Sequence, residues 1–264
     1  MDPALTPHEA LALLAWQVDL GATEAICDAP VNRYEAPRPA PAAAPAAARP
    51  VASAPRPPAR PAPVDPVAVA RAAADAATDR EGLAAAMAAY ELCELKKGAR
   101  NLVFSDGNPK ARVMVIGEAP GREEDLQGKP FVGRAGHLLD QMFGHIGLGR
   151  NDPAAERALY ITNVLPWRPP QNRDPEAGEV AMMLPFLERH VALVDPDILV
   201  LMGNHSCGAL LGRKGITRLR GHWVQALGRP ALPMFHPAYL LRTQLAKRDA
   251  WHDLLMLQTR LRGG

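Results

Sequence analysis

The stretch "RVMVIGEAPG", residues 112–121, decides how the rest of the chain is read. Four apolar residues, two of them valine and one isoleucine, run without alternation into a Gly/Pro turn. An unbroken apolar run of that length is the signature of a strand buried on both faces, as in a parallel sheet. Three further runs of this type lie downstream: "ALYITNVLPW", "DILVLMGNHSCGALLG" and "ALPMFHPAYLL". Between them lie segments with helical spacing, "AGHLLDQMFGHIGL" and "GEVAMMLPFLERHVALVDP", the latter with Pro185 as an expected break or kink. "AKRDAWHDLLMLQTRL" closes the pattern as a helix, and "PVAVARAAADAATDREGLAAAMAAYELCELKKGA" precedes it as another. Strands alternating with helices predict an α/β fold: a three-layer αβα sandwich with a central, mainly parallel four-stranded sheet.

Upstream of this pattern the composition changes. Residues 8–20, "HEALALLAWQVDL", have apolar positions at helical spacing behind Thr6-Pro7 and predict an amphipathic helix. Its apolar face (Leu11, Leu14, Trp16, Val18) needs a partner, within the chain or in another protein. Residues 36–66 are 23 Ala or Pro out of 31. Such a segment buries no core and predicts a disordered, semi-rigid linker. The expected organisation is therefore an N-terminal amphipathic helical segment at 1–35, a linker at 36–66 and a globular domain at 67–264.

The chain has 264 residues and a formal net charge of +2, so affinity for nucleic acid would have to come from local clusters. Cys27, Cys93 and Cys207 are too few and scattered for a disulfide framework, which fits a reduced, cytoplasmic setting. The first 25 residues lack a basic leader, and no apolar run reaches the ~18–20 residues that span a bilayer. A monomer without membrane association is expected.

In open parallel sheets, ligands bind beyond the carboxyl ends of the strands. Those ends carry "GEAPGREEDLQGKPFVGRAG" (117–136), Asn163 with the Pro-rich stretch behind it, "GNHSCG", and His236 in "HPAYLLR". Neither GxGxxG nor GxxxxGK[ST] is present, and four acids in eight residues (Glu118, Glu123, Glu124, Asp125) would repel a phosphate. An unrelated nucleotide-binding protein is thereby disfavoured. Phe131, between Pro130 and a Gly-rich loop, is placed to stack on a planar ligand. Asn163 offers the donor–acceptor pair that reads a base edge.

The ordered motifs "GEAPGREEDLQGKPFVGRAG", "YITNVLPWRPPQNRDP", "ITRLRGHW" and "MFHPAYLLR" resemble the uracil-DNA glycosylase superfamily, specifically its family 4 enzymes, over about residues 88–262. The resemblance implies a DNA repair hydrolase of base excision repair, which flips uracil out of single- or double-stranded DNA and hydrolyses its N-glycosidic bond. It implies that Glu118 and Ala119 form the loop that positions the attacking water. By the same resemblance Glu124 has a part in catalysis, Phe131 stacks on the base, Asn163 reads its edge, and His236 lies near uracil O2. "PAYLLR" matches the loop that wedges into the duplex, with Tyr239, Leu240 and Leu241 as its candidates. Arg168, Arg173, Arg218, Arg220 and Arg242 would form a phosphate-binding rim.

The resemblance also implies a [4Fe–4S] cluster on four cysteines. At those positions the chain has Tyr90, Cys93, Trp167 and Met183, and a cubane cluster needs four ligands. We therefore expect no cluster and no metal, with the three replacements filling its volume. The competing expectations are an inactive DNA- or uracil-binding protein of the same fold and a glycosylase of shifted base specificity. A covalent DNA-crosslinking relative is disfavoured, because its inserted basic loop is missing here.

Overall fold

A computed structural model describes residues 6–21 and 64–263. The chain divides into a unit of residues 1–60 and a unit of residues 61–264. In the first, helix α1 covers Pro7–Asp19 and leaves Leu11, Leu14, Trp16 and Val18 exposed. Most of the Ala/Pro-rich linker, and Cys27, lie outside the described residues.

The second unit opens with α2 (Pro66–Ala76), α3 (Arg80–Ala89) and α4 (Leu95–Gly98) where the sequence predicted one continuous helix. The break has a local cause. The Asp79 carboxylate accepts from Gly82 N–H at 2.7 Å and starts α3 as its N-cap, so the chain cannot be helical through residues 77–79. The strands are β1 (Asp106–Gly107), β2 (Val113–Gly117), β3 (Leu159–Asn163), β4 (Ile198–Met202), β5 (Val224–Ala226) and β6 (Arg229–Met234). Helices α5 (Arg122–Gln127) and α6 (Arg134–Gly144) follow β2, α7 (Ala177–Val194) follows β3, and α8 (Gly203–Leu211) follows β4. The chain ends in α9 (Ile216–Leu219), α10 (Pro237–Arg242) and α11 (Lys247–Arg262). Pro185 was expected to break or kink α7; it does not break it, and the helix continues through it to Val194.

The sheet has six strands in the order β1-β3-β2-β4-β6-β5. The predicted four-stranded parallel sheet is its centre, β3-β2-β4-β6. Two short antiparallel strands, β1 and β5, extend the edges. They escape a sequence reading because runs of two and three residues carry no periodicity.

Side chains alternate across the sheet, as the strand period of 2 requires. Met114, Ile116, Tyr160, Leu199 and Leu201 join one core with residues of α2, α3, α7 and α8. Val113, Val115, Leu159, Ile161, Val200, Leu232 and Met234 join the other with residues of α6 and α11. These two cores make the three layers. After β2 the chain moves to one side of that strand to form β3, then crosses to the other to form β4. The carboxyl end of β2 is therefore the topological switch point, where this architecture opens a crevice.

Candidate active site

A pocket of about 460 Å³ opens at that switch point. Its volume is within the roughly 300–1,000 Å³ typical of small-ligand sites. The loop after β2 supplies Glu118, Ala119, Gly121, Glu124 and Phe131; the end of β3 supplies Asn163; the region after β6 supplies His236, Tyr239 and Arg242. Strand register explains the convergence, because Gly117 and Asn163 are direct partners at the ends of β2 and β3.

Gly117 is required by close packing rather than by its dihedrals. A Cβ there would lie 2.3 Å from Asn163 Oδ1 and 2.6 Å from the Phe131 ring. The amide and the aromatic wall are thus both seated against a bare backbone. Asn163 Oδ1 is the only buried side-chain N or O atom among the described residues without a hydrogen-bond partner. An unpaired buried acceptor costs about 1–3 kcal/mol. It is explained if a ligand donor completes it.

Phe131 itself is held in an uncommon conformation, with φ at 53°. Arg150 holds it there. Its guanidinium donates to the carbonyls of Pro130 and Phe131, both at 2.9 Å, and pairs with Asp106 and Asp140. Gly136 lets the Phe131 carbonyl approach α6, since a Cβ would sit 1.8 Å from that oxygen. The Phe131 ring stacks on His236, with centroids 5.4 Å apart.

His236 is the N-cap of α10, and its Nδ1 accepts from the Ala238 N–H at 3.1 Å. The ring proton is therefore on Nε2. Burial, with Arg242 adding to it, depresses its pKa to about 4, so the imidazole is neutral at pH 7. A neutral imidazole whose Nε2–H is free to donate suits an acceptor that gains negative charge during reaction.

Glu118 and Glu124 differ in environment. Glu124 Oε1 accepts from Val132 and Gly133 N–H, and its Oε2 from Gly121 N–H. It ties the ends of the loop together and also lines the pocket. Glu118 has no such backbone partners. Burial raises its pKa, and the nearby His205 pulls the other way. His205 Nε2 lies 3.8 Å from Glu118 and 3.7 Å from Asp174. These three side chains are the one group among the described residues whose ligating atoms converge as a cation would need, within 4.8 Å of one another. "GNHSCG" stood out in the sequence as a strand end, but nothing in it pointed His205 toward Glu118.

A family model for the uracil DNA glycosylase superfamily matches residues 104–255. The chain is similar to the type-4 uracil-DNA glycosylase of Thermotoga maritima, 39% identical over 155 residues covering 58% of this chain and 78% of that protein. It is similar to the type-4 uracil-DNA glycosylase of Archaeoglobus fulgidus, 40% identical over 163 residues covering 58% of this chain and 79% of that one. A third relative, the type-4 uracil-DNA glycosylase of Sulfurisphaera tokodaii, is 40% identical over 159 residues, 56% of this chain and 70% of its own.

The chain belongs to the uracil DNA glycosylase superfamily.

Several residues expected to bind DNA are placed otherwise. Leu240 is fully buried, in a small core with Phe235 and Ala246, and is not available as a wedge. Arg220 pairs with the buried Asp253, donates to the Asp249 carbonyl at 2.8 Å and lies over the Phe235 ring, so it braces α11 rather than the rim. Arg173 lines the pocket but is paired with Glu179. Arg168 donates to Asn172 at 2.8 Å, in the loop beside the pocket. Tyr239 and Arg242 line the pocket, and Leu241 is half-buried.

The positions at which the resemblance implied cluster cysteines are side chains of the apolar core. Tyr90, Cys93, Trp167 and Met183 are buried in one cluster with Phe186. Tyr90 meets Phe186 edge-on at 5.6 Å and donates its hydroxyl to the Pro66 carbonyl at 2.7 Å. Trp167 is 2% exposed. Burial raises the Cys93 thiol pKa, which disfavours the thiolate that ligates metal. One thiol with three side chains that offer no thiolate does not fit a four-thiolate cubane.

Proposed function

We propose that the chain is a monofunctional uracil-DNA glycosylase that hydrolyses the N-glycosidic bond of uracil in DNA and leaves an abasic site. The observation that carries this reading is the unpaired, buried oxygen of Asn163, a residue that lines the pocket together with Phe131 and His236. Uracil N3–H is a donor where cytosine N3 is an acceptor, so this oxygen distinguishes them. Phe131 supplies the stacking wall.

As the glycosidic bond breaks, negative charge builds on the uracil and positive charge on the sugar. His236 Nε2–H donates to the departing base, and one such preorganised donor is worth about 3–4 kcal/mol of transition-state stabilisation. The Glu118 carboxylate orients water and favours the sugar cation. Glu124 keeps the loop in register. Arg242 is the pocket-lining cation for a phosphate.

We further propose that the chain carries no iron–sulfur cluster and that Tyr90, Trp167 and Met183 take over its structural role by packing. Iron and acid-labile sulfide are expected to be substoichiometric in anaerobically purified protein, and stoichiometric iron would refute this. Residues 67–264 are proposed as the glycosylase domain of a cytoplasmic monomer, with residues 36–66 as a tether and residues 1–35 as a partner-binding segment.

The direct test is an oligonucleotide with a single uracil, single-stranded or duplex, treated with the protein and then with alkali. Strand scission at the uracil is expected. His236→Ala should lower the rate by roughly 10²–10³-fold, and Asn163→Asp should weaken discrimination against cytosine. No scission of either substrate at any salt concentration would rule out the enzyme and leave a binding protein.

A further inference from the structure

Glu118 and Glu124 share one loop but are held differently. Three backbone N–H groups fix the Glu124 carboxylate. The Glu118 backbone is fixed too, since its carbonyl accepts from Leu165 N–H at 3.0 Å. Its side chain is rotamer-rich, and a carboxylate that orients a water works only if held within about 0.5 Å of its productive place. The one ion-pair partner of that carboxylate among the described residues is His205, whose Nε2 is 3.8 Å away. His205 is a residue for which the glycosylase motifs supply no role.

The fold brings the two together and braces the histidine. Strands β2 and β4 are parallel neighbours with Ile116 opposite Leu201, so the chain leaving β2 at Glu118 runs beside the chain leaving β4. Gly203 turns β4 into α8 at a φ of 90°, and a Cβ there would come 3.1 Å from His236 Cβ. Asn204 Oδ1 accepts from Gly215 and Ile216 N–H at 2.9 and 2.8 Å, and Ser206 Oγ donates to the Gly203 carbonyl at 3.2 Å. The half-buried His205 ring therefore leaves from a backbone tied down on both sides. A carboxylate only accepts, so Nε2 faces Glu118 as a donor, whether the ring is neutral or charged. The distance is loose for a hydrogen bond, and such contacts tighten when substrate binds. Asp174 approaches the same nitrogen from solvent, at 3.7 Å with its side chain 87% exposed. Solvent screens Asp174, which leaves Glu118 as the firmer partner. The two carboxylates repel across at most 4.8 Å, and a proton on His205 offsets that repulsion. Lys214 acts on Glu118 in the same sense as His205.

We propose that His205 is a positioning residue of this site: its Nε2–H holds the Glu118 carboxylate in place for the attacking water and keeps Asp174 from displacing it. This rests on the glycosylase reading of the pocket, in which Glu118 orients that water. His205 itself touches neither the base nor the sugar in this role; it acts through Glu118.

The test follows uracil excision from a single-stranded oligonucleotide across pH by wild type, His205→Ala, His205→Gln and Asp174→Asn. EDTA is present throughout, so that no cation on the three side chains stands in for the imidazole. His205→Ala is expected to lower kcat about 10–100-fold with KM little changed. His205→Gln keeps an N–H donor and should recover most of that rate at neutral pH. The acidic limb should move in opposite directions: upward in His205→Ala, which loses the cation and keeps Asp174, and downward in Asp174→Asn, which loses the like charge. Carbon-13 NMR of the Glu118 carboxyl, identified by its loss in Glu118→Gln, should show the same two displacements. An unchanged rate in His205→Ala, a loss that His205→Gln does not recover, or a Glu118 titration that neither variant moves overturns the proposal, while excision by wild type leaves the glycosylase reading intact. If wild type excises no uracil, the glycosylase reading fails and this role of His205 falls with it.

Discussion

Asn163, His236 and Glu118 show three ways in which a side chain acquires a role from its surroundings. Asn163 has a buried acceptor with nothing to accept from, packed against the bare β2 backbone at Gly117. His236 has its proton placed on Nε2 by one backbone N–H of its own helix. Glu118 is pushed toward protonation by burial. The sign of the pH effect follows. A raised carboxyl pKa means that the ionised form is lost at a higher pH than for a free glutamate. Activity should fall on the acidic side along a limb displaced above the ordinary carboxylate range, and Glu118→Gln should abolish that limb along with most of the rate. A pH–rate profile of kcat/KM for the two proteins measures this, and a limb that persists in the variant would assign it to another group. All three residues could be picked from the sequence, because each closes or follows a strand. The unpaired oxygen, the tautomer and the approach of His205 could not be picked, since each depends on atoms distant in sequence.

At the scale of elements, the pocket is held by pieces that do not touch a ligand. Arg150 is 33 residues beyond Gly117, yet its guanidinium holds the two carbonyls that set Phe131. A lysine at this position keeps a charge but cannot fork to two carbonyls and two carboxylates. Arg150→Lys is expected to lower kcat/KM by about tenfold or more by freeing the Phe131 loop, a loss of ~1.4 kcal/mol in transition-state binding. Steady-state kinetics would show it, and unchanged kinetics would mean that the loop holds itself. The helix α10 teaches the complementary lesson. Its sequence, PAYLLR, offers two adjacent leucines as wedges, and helical geometry turns Leu240 into the core. The exposed leucine is instead Leu245, beyond the motif. Motif matching located the element, and only its rotation showed which face meets solvent. Trp167 is similar: its position was readable, but its burial with Tyr90, Cys93 and Met183 came from the fold.

Across the whole molecule, folding buries titratable groups far from the pocket. His190 on α7 is 2.8 Å from the Tyr160 hydroxyl and stacks on Phe104, and burial lowers its pKa to about 3. In the unfolded chain it titrates near 6.5. As pH falls below about 6.5, the unfolded state takes up a proton that the native state refuses until about 3, so stability is lost across that window. The contribution approaches 1.4 kcal/mol per pH unit for such a group. His190→Gln keeps a polar partner for Tyr160 without titrating. Urea unfolding at pH 7 and pH 4.5 should show a smaller stability loss for the variant than for wild type, and equal losses would place the acid sensitivity elsewhere.

What the sequence determined by itself was the part written in local patterns. Unbroken apolar runs specified the buried parallel strands, their order with helices specified the layers, and the polar residues at strand ends marked the site. Tyr90, Trp167 and Met183 stood in the chain where cysteines were implied. The tertiary structure decided what depends on distance in space: the edge strands β1 and β5, the break before Asp79, and Arg150 behind Phe131. It also decided which leucine of the α10 region is buried and which is exposed. The reason is physical. Periodicity records whether a residue faces a core, but hydrogen-bond satisfaction, charge pairing and close approach are set by neighbours that only folding brings together.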